Sequence, residues 1–146
     1  MEIYPLELNQ LSQCAQLFID AFSVPPWNER WAPAAAVDRL TDAYRTPGAY
    51  SLVAIEEGTI LGFLIGAVET WYKGYHYQVK ELCVGVSYQR RGVGGALIEA
   101  LQQGLSGKEV TTIYLQTMRH SVAETFYLQN GFTYLSDRIV VSKALN

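Results

Sequence analysis

The sequence predicts an α/β chain built on one mixed sheet, and three observations carry that prediction. Apolar residues recur at helical spacing twice near the start, change to strand-like runs in the middle, and return to helical spacing twice in the second half. Turn signals separate these blocks. A glycine-rich turn then joins one of the strands directly to a helix. The resulting order is β-α-α-β-β-β-α-β-α-β, with no repeat, low-complexity tract or linker, so residues 1–146 read as a single domain.

Each element has its own warrant. Residues 2–8 alternate weakly and read as a first strand. Asn9 is placed to cap a helix in which Leu11, Cys14, Ala15, Phe18 and Phe22 share one face. Pro25-Pro26 ends it and opens a loop carrying Trp27 and Trp31. Pro33 can start a second helix through Val37 and Leu40, and Pro47-Gly48 stops that one. Tyr50 to Glu56 and Thr59 to Thr70 read as a hairpin about the Glu57-Gly58 turn. Tyr77 to Val86 is a fourth strand. Val93, Ala96, Leu97, Ala100 and Leu101 form the apolar stripe of the next helix, and Val110 to Met118 is a fifth strand. A crossover helix between the fourth and fifth strands predicts a parallel pair there. His120 to Asn130 is a last helix with a stop at Asn130-Gly131, and Phe132 to Lys143 is expected to close the chain as a long strand or hairpin.

Composition removes several classes. Hydrophobic residues make up 49% and charged residues 17%, which suits a packed core and not a disordered chain. A net charge of −3 argues against nucleic acid as a partner. No apolar run approaches the ~18 residues of a membrane span. The two cysteines, Cys14 and Cys83, lie in no metal or redox pattern, and the N-terminus has no signal-peptide layout. The expectation is therefore a cytoplasmic protein with reduced thiols and no metal. Residues 1–70 hold nine acids and three bases; residues 71–146 hold five acids and eight bases. An acidic half suits a cationic substrate and a basic half an anionic cofactor, although ordinary surface charge would look the same.

The segment Gln89-Arg90-Arg91-Gly92-Val93-Gly94-Gly95 is the most informative in the chain. Its glycines let backbone N–H groups approach a ligand unobstructed, and the start of a helix adds unpaired donors and partial positive charge. Arg90-Arg91 is the only adjacent basic pair. Together these make a phosphate-binding turn. A P-loop is excluded because no lysine lies in the turn. A dinucleotide fingerprint is excluded because Leu97 stands where the third glycine would be.

Gln89-x-x-Gly92-x-Gly94 is similar to the Gln/Arg-x-x-Gly-x-Gly/Ala motif of the GNAT family, the GCN5-related N-acetyltransferases. Glu81-Leu82-Cys83-Val84-Gly85-Val86 resembles the family's fourth strand, and Ala123-x-x-Phe126-Tyr127-x-x-x-Gly131-Phe132 resembles its last helix and the step after it. The element order resembles the family fold along nearly the whole chain. His120 stands where the family often has asparagine, and Ser87 where a proline commonly follows the strand.

The resemblance implies acyl transfer from acetyl-CoA to an amine by direct attack in a ternary complex. It implies a pyrophosphate site at Gln89, Arg90, Arg91, Gly92, Val93, Gly94 and Gly95, with His120 and Phe126 on the cofactor side. It also implies a bulged fourth strand near Leu82, Cys83 and Val84 that frees a backbone N–H for the thioester carbonyl. Tyr127 occupies the family's general-acid position. An attacking ammonium with a pKa of about 10.4 costs roughly 4–5 kcal/mol to neutralise at pH 7, so a base is needed; Glu81 is the first candidate and Glu69 the second. Cys83 has no histidine partner and is read as an inert thiol. Trp27, Glu29 and Trp31 fall where the family's first two helices join, and they either border a small-molecule or peptide amine or anchor the loop. A non-catalytic acyl-CoA-binding or sensing module of the same fold, a nucleotide-phosphate binder, and a homodimeric state all stay open at this point.

Overall fold

The computed structural model describes residues 1–146. They form two compact units, Met1–Gln116 and Thr117–Asn146. The first holds a five-stranded sheet in the order β1 (Glu2–Pro5), β2 (Leu52–Glu56), β3 (Thr59–Thr70), β4 (Tyr75–Val84) and β5 (Val110–Tyr114). The first four strands pair antiparallel, and β5 joins β4 in parallel. The β2–β3 hairpin closes at Glu57 and Gly58, whose φ values of 49° and 78° give the primed turn that matches strand twist. The parallel pair follows from the intervening helix α3 (Val93–Leu105), which carries the chain back across the sheet.

The two faces of the sheet are covered by different helices. Helices α1 (Leu11–Phe22) and α2 (Pro33–Tyr44) pack Leu11, Cys14, Ala15, Phe18, Ala36 and Leu40 against Val53, Phe63, Ile65 and Cys83. Each such large apolar side chain removed from water is worth about 1.5–3 kcal/mol. On the opposite face α3 buries Val93, Leu97, Ile98, Leu101 and Leu105. Pro33 opens α2 at its first turn, as its fixed φ allows. The start of α1 differs from expectation. Leu8–Gln10 form a 3-10 turn, its capping box made by Glu7 and Gln10, and Asn9 lies inside that turn. No helix in the chain is long and apolar enough to cross a membrane.

Close packing makes one glycine obligatory. A Cβ on Gly66 of β3 would lie 2.4 Å from the hydroxyl of Tyr77 and 2.3 Å from the carbonyl oxygen of Gln78. Tyr77 is fully buried, and its hydroxyl donates to the Tyr50 carbonyl at 2.6 Å. The ring crosses β3 at a position with no side chain.

The second unit contains helix α4 (Val122–Gln129). Ser121 caps it: its Oγ accepts from the Glu124 N–H at 3.1 Å, and a Glu124 oxygen accepts from the His120 N–H at 2.6 Å. Asn130 and Gly131, the latter at φ 88°, end the helix as expected. The expected closing strand over Phe132–Lys143 does not form. These residues are turns and irregular chain, and Ile139, Val140 and Val141 are 84%, 70% and 80% exposed. Their β-branched side chains favour extended backbone, but a strand exists only where a ladder partner meets it.

Gly66→Ala should lower stability by about 1–3 kcal/mol, the usual cost of overpacking a filled core. Chemical denaturation checks this; an unchanged midpoint would contradict the packing described.

Candidate functional site

The site grows from an irregularity in β4. Ile65 pairs with Glu81 and Gly66 with Val79, so Lys80 has no partner on β3 and forms a bulge. This lies just before Leu82, Cys83 and Val84, the residues at which the bulge was expected, so the expected position is corrected to Lys80. The bulge reverses the phase of the strand. Gly85 donates to the Leu61 carbonyl at 2.8 Å. Alternation along the antiparallel ladder then turns the N–H groups of Cys83 and Glu81 toward β3 and those of Leu82 and Val84 away from it.

On that outward side the sheet ends early. The last β4–β5 pair is Gln78 with Tyr114, and β4 runs on through Val84 with no strand beside it. Leu82 and Val84 thus present backbone donors at an opening in the sheet. The Val84 carbonyl is taken by the Gln89 side chain at 3.1 Å. Gln89 thus ties the end of β4 to the glycine-rich turn through one of its two amide protons. Cys83 points into the core, 3% exposed, and burial pushes its thiol well above the ordinary range. Burial likewise pushes Cys14 up to about 12. Both thiols are unbridged and unsuited to nucleophilic work.

The glycine-rich turn fits an anionic group. Gly92 sits at φ 83° directly before α3, with open space where a Cβ would be. No side chain caps α3, so the N–H groups of Val93, Gly94 and Gly95 at its first turn are available donors. Arg90 also has positive φ, at 65°. Arg91 is engaged elsewhere: it pairs with Glu56 at 2.9 Å and lies over the Tyr88 ring. These donors can hold the pyrophosphate of an acyl-CoA, with Arg90 the more available of the two arginines.

A cleft of about 410 Å³ opens on the α2 side of the sheet, lined by Arg39, Asp42, Gln78, Lys80, Glu81 and Gln116 among others. Glu81 is about nine-tenths buried, and Arg39 Nε donates to its Oε1 at 2.8 Å. Burial raises the Glu81 pKa above the ordinary carboxylate range. The Arg39 hydrogen bond and charge pull it down, Glu29 adds a small upward push, and burial wins. Beside the cleft, Glu69 accepts from the Tyr114 hydroxyl at 2.6 Å across β4. Burial, first, and this contact push the Tyr114 hydroxyl up to about 12. His76 stacks on Trp71 at 4.4 Å and meets Tyr114 edge-on. No local signal joins Arg39, Lys80 or Tyr114 to Glu81 and Glu69, because only the strand register and the α2 packing bring them together.

The tryptophan loop is tied down from within. Trp31 packs edge-on against Phe18 at 5.0 Å and Trp27 against Phe22 at 5.0 Å. Glu29 accepts from the Trp31 indole at 2.9 Å. Of the two readings the anchoring one describes these contacts. In the second unit, the Tyr127 ring lies between Phe126 and Phe132, edge-on to both at 5.2 and 5.3 Å. His120, at φ 62°, begins the cap of the same helix.

Arg39→Gln should raise the Glu81 pKa further, since it removes the hydrogen bond and charge that favour the carboxylate. Carboxyl-carbon NMR titration measures it directly; a lower pKa in the variant would contradict this balance.

The comparisons agree with the architecture. The sequence matches the model of the acetyltransferase (GNAT) family over residues 11–132. No curated protein matches the chain. Solved structures share the fold at low identity. An aminoglycoside acetyltransferase from an uncultured soil metagenomic sample, in complex with trehalose, superposes with a TM-score of 0.76 at 23% identity, covering 99% of this chain and 96% of its own. An integron cassette protein from the mobile metagenome of V. cholerae gives 0.81 at 16%, covering 99% and 93%. A second aminoglycoside acetyltransferase, also from an uncultured soil sample, gives 0.71 at 19%, covering 99% and 97%. With most of its length matched by the family model, the chain belongs to the GNAT acetyltransferase family.

Proposed function

We propose that the protein is a cytoplasmic N-acetyltransferase that moves the acetyl group of acetyl-CoA to a primary amine of a small molecule or peptide, by direct attack. The observation that carries this reading is the coincidence at one bulge of two outward N–H groups, Leu82 and Val84, with the buried carboxylate of Glu81. The likeness to aminoglycoside acetyltransferases supports a small amine as acceptor. Because the family model runs through both compact units, we read residues 1–146 as one catalytic domain.

Acetyl-CoA supplies an activated carbonyl; the rest is the chain's work. Val93, Gly94, Gly95 and Arg90 bind the pyrophosphate. The N–H groups of Leu82 and Val84 hold the pantetheine arm and the carbonyl oxygen, which gains charge during attack. Glu81 takes a proton from the incoming ammonium, directly or through water, and its raised pKa brings it nearer the operating pH. Glu69 is held by Tyr114 and serves to orient the acceptor. Tyr127 supplies the proton the leaving thiolate needs. The inert setting of Cys83 disfavours an acyl-enzyme.

Incubation with acetyl-CoA and a panel of amines, followed by detection of free thiol, tests the reading. Thiol release that depends on the amine is expected. CoA binding by calorimetry without release for any amine would favour the binding-module reading. Glu81→Gln should lower kcat by about 10²–10⁴-fold, and Tyr127→Phe should lower turnover strongly with little change in CoA affinity. Unchanged turnover in either would remove that residue from the mechanism. Gly92→Asp should abolish CoA binding, because it sets a side chain and a negative charge among the phosphate donors.

A further inference from the structure

The charges around Glu81 specify more than an amine. The cleft holds two cations, Arg39 and Lys80, beside the one buried carboxylate. Arg39 reaches Glu81 through Nε alone. Its two terminal nitrogens make no hydrogen bond in the protein, and its side chain is 54% exposed. The guanidinium lies over the Trp31 ring at 5.9 Å and is hydrogen-bonded only at Nε, so it still offers a planar pair of donors, the geometry that matches a carboxylate. Lys80, on the bulge itself, makes one long contact to Gln78 at 3.4 Å, which leaves its other ammonium protons for a ligand. Asp42, exposed on α2, is the second acid lining the cleft.

A plain alkylammonium fits this arrangement poorly. It adds a third positive charge beside Arg39 and Lys80 and brings nothing to pair with either. An acceptor that carries its own carboxylate reverses the balance. Its ammonium takes the place of Arg39 at Glu81, and its carboxylate becomes the new partner of Arg39 and Lys80. Each of the five charges then has an opposite partner. We infer that the acceptor is a free α-amino acid, or a close relative with a carboxylate a few bonds from the reactive amine, bound through Arg39 and Lys80. The inference rests on the acetyltransferase reading and narrows it. Arg39 and Lys80 act as specificity residues, and the acetyl group ends on the α-nitrogen with CoA released as the thiol.

The test compares matched pairs: an L-amino acid, its methyl ester and the amine left on decarboxylation, for example tyrosine, tyrosine methyl ester and tyramine. Acetyl-CoA and free-thiol detection give kcat/KM for each. For at least one set the amino acid should exceed both the ester and the amine by tenfold or more. Lys80→Gln and Arg39→Gln should each shrink that ratio, mainly through KM of the amino acid. Lys80→Gln is the cleaner variant, because Lys80 touches no group assigned to proton transfer. Turnover of the amines at least as good as that of the amino acids would overturn the inference alone. So would a ratio that neither substitution changes. Thiol release with no member of any set, or with any other amine, would overturn the acetyltransferase reading and this inference with it.

Discussion

Lys80 is the one residue of β4 without a partner on β3, and the candidate site depends on it. An uninterrupted ladder would keep the phase set by His76 and Gln78, whose backbone groups face β3. The single extra residue hands that role to Glu81 and Cys83. It leaves Leu82 and Val84 facing outward just where β5 has ended at Tyr114. The same shift sets Glu81 on the α1–α2 face beside Ile65 and Cys83, where burial raises its pKa. Backbone donors and carboxylate are thus placed by one local irregularity. Unpaired backbone groups in the middle of a sheet are costly, so an opening of this kind needs a ligand or water to complete it.

The electrostatics of the cleft follow from this placement. Burial pushes the Glu81 carboxyl toward its protonated form, and Arg39 is the group that opposes this. Glu81 and Arg39 form a pair whose partners differ sharply in exposure. The exposed partner, over the Trp31 ring, can turn its terminal nitrogens to a ligand, while the buried one stays fixed. That asymmetry is what lets the proposed acceptor's carboxylate pair with Arg39 while Glu81 keeps its place. Glu69, held by Tyr114, is the second fixed acid on this face, four residues along β3 from the partner of Glu81, or about 13 Å at the usual strand rise.

The sequence made some of this legible and hid the rest for physical reasons. Helices, hairpin and parallel crossover were readable because periodicity and turn residues are local signals, as at Pro33, Glu57-Gly58 and Asn130-Gly131. The glycine-rich turn that opens α3 was readable because Gly92, Gly94 and Gly95 lie together in the chain. The bulge was misplaced by two residues, since nothing local distinguishes Lys80 from Leu82. The closing strand was wrongly expected because Ile139-Val140-Val141 states a preference for extended backbone and says nothing about a partner. Arg39 escaped notice because 42 residues separate it from Glu81. Trp27 and Trp31 were open between two roles, and their contacts with Phe22 and Phe18 account for them as anchors.

Residue-resolved amide hydrogen exchange tests the account most directly, with and without acetyl-CoA. In the free protein the amides of Cys83 and Glu81, paired with β3, should exchange slowly, and those of Leu82 and Val84 should exchange fast. Acetyl-CoA should then protect Leu82 and Val84. Amides of Leu82 and Val84 already protected in the free protein, or unchanged by saturating acetyl-CoA, would contradict the claim that the bulge at Lys80 opens an acyl-CoA seat in the sheet.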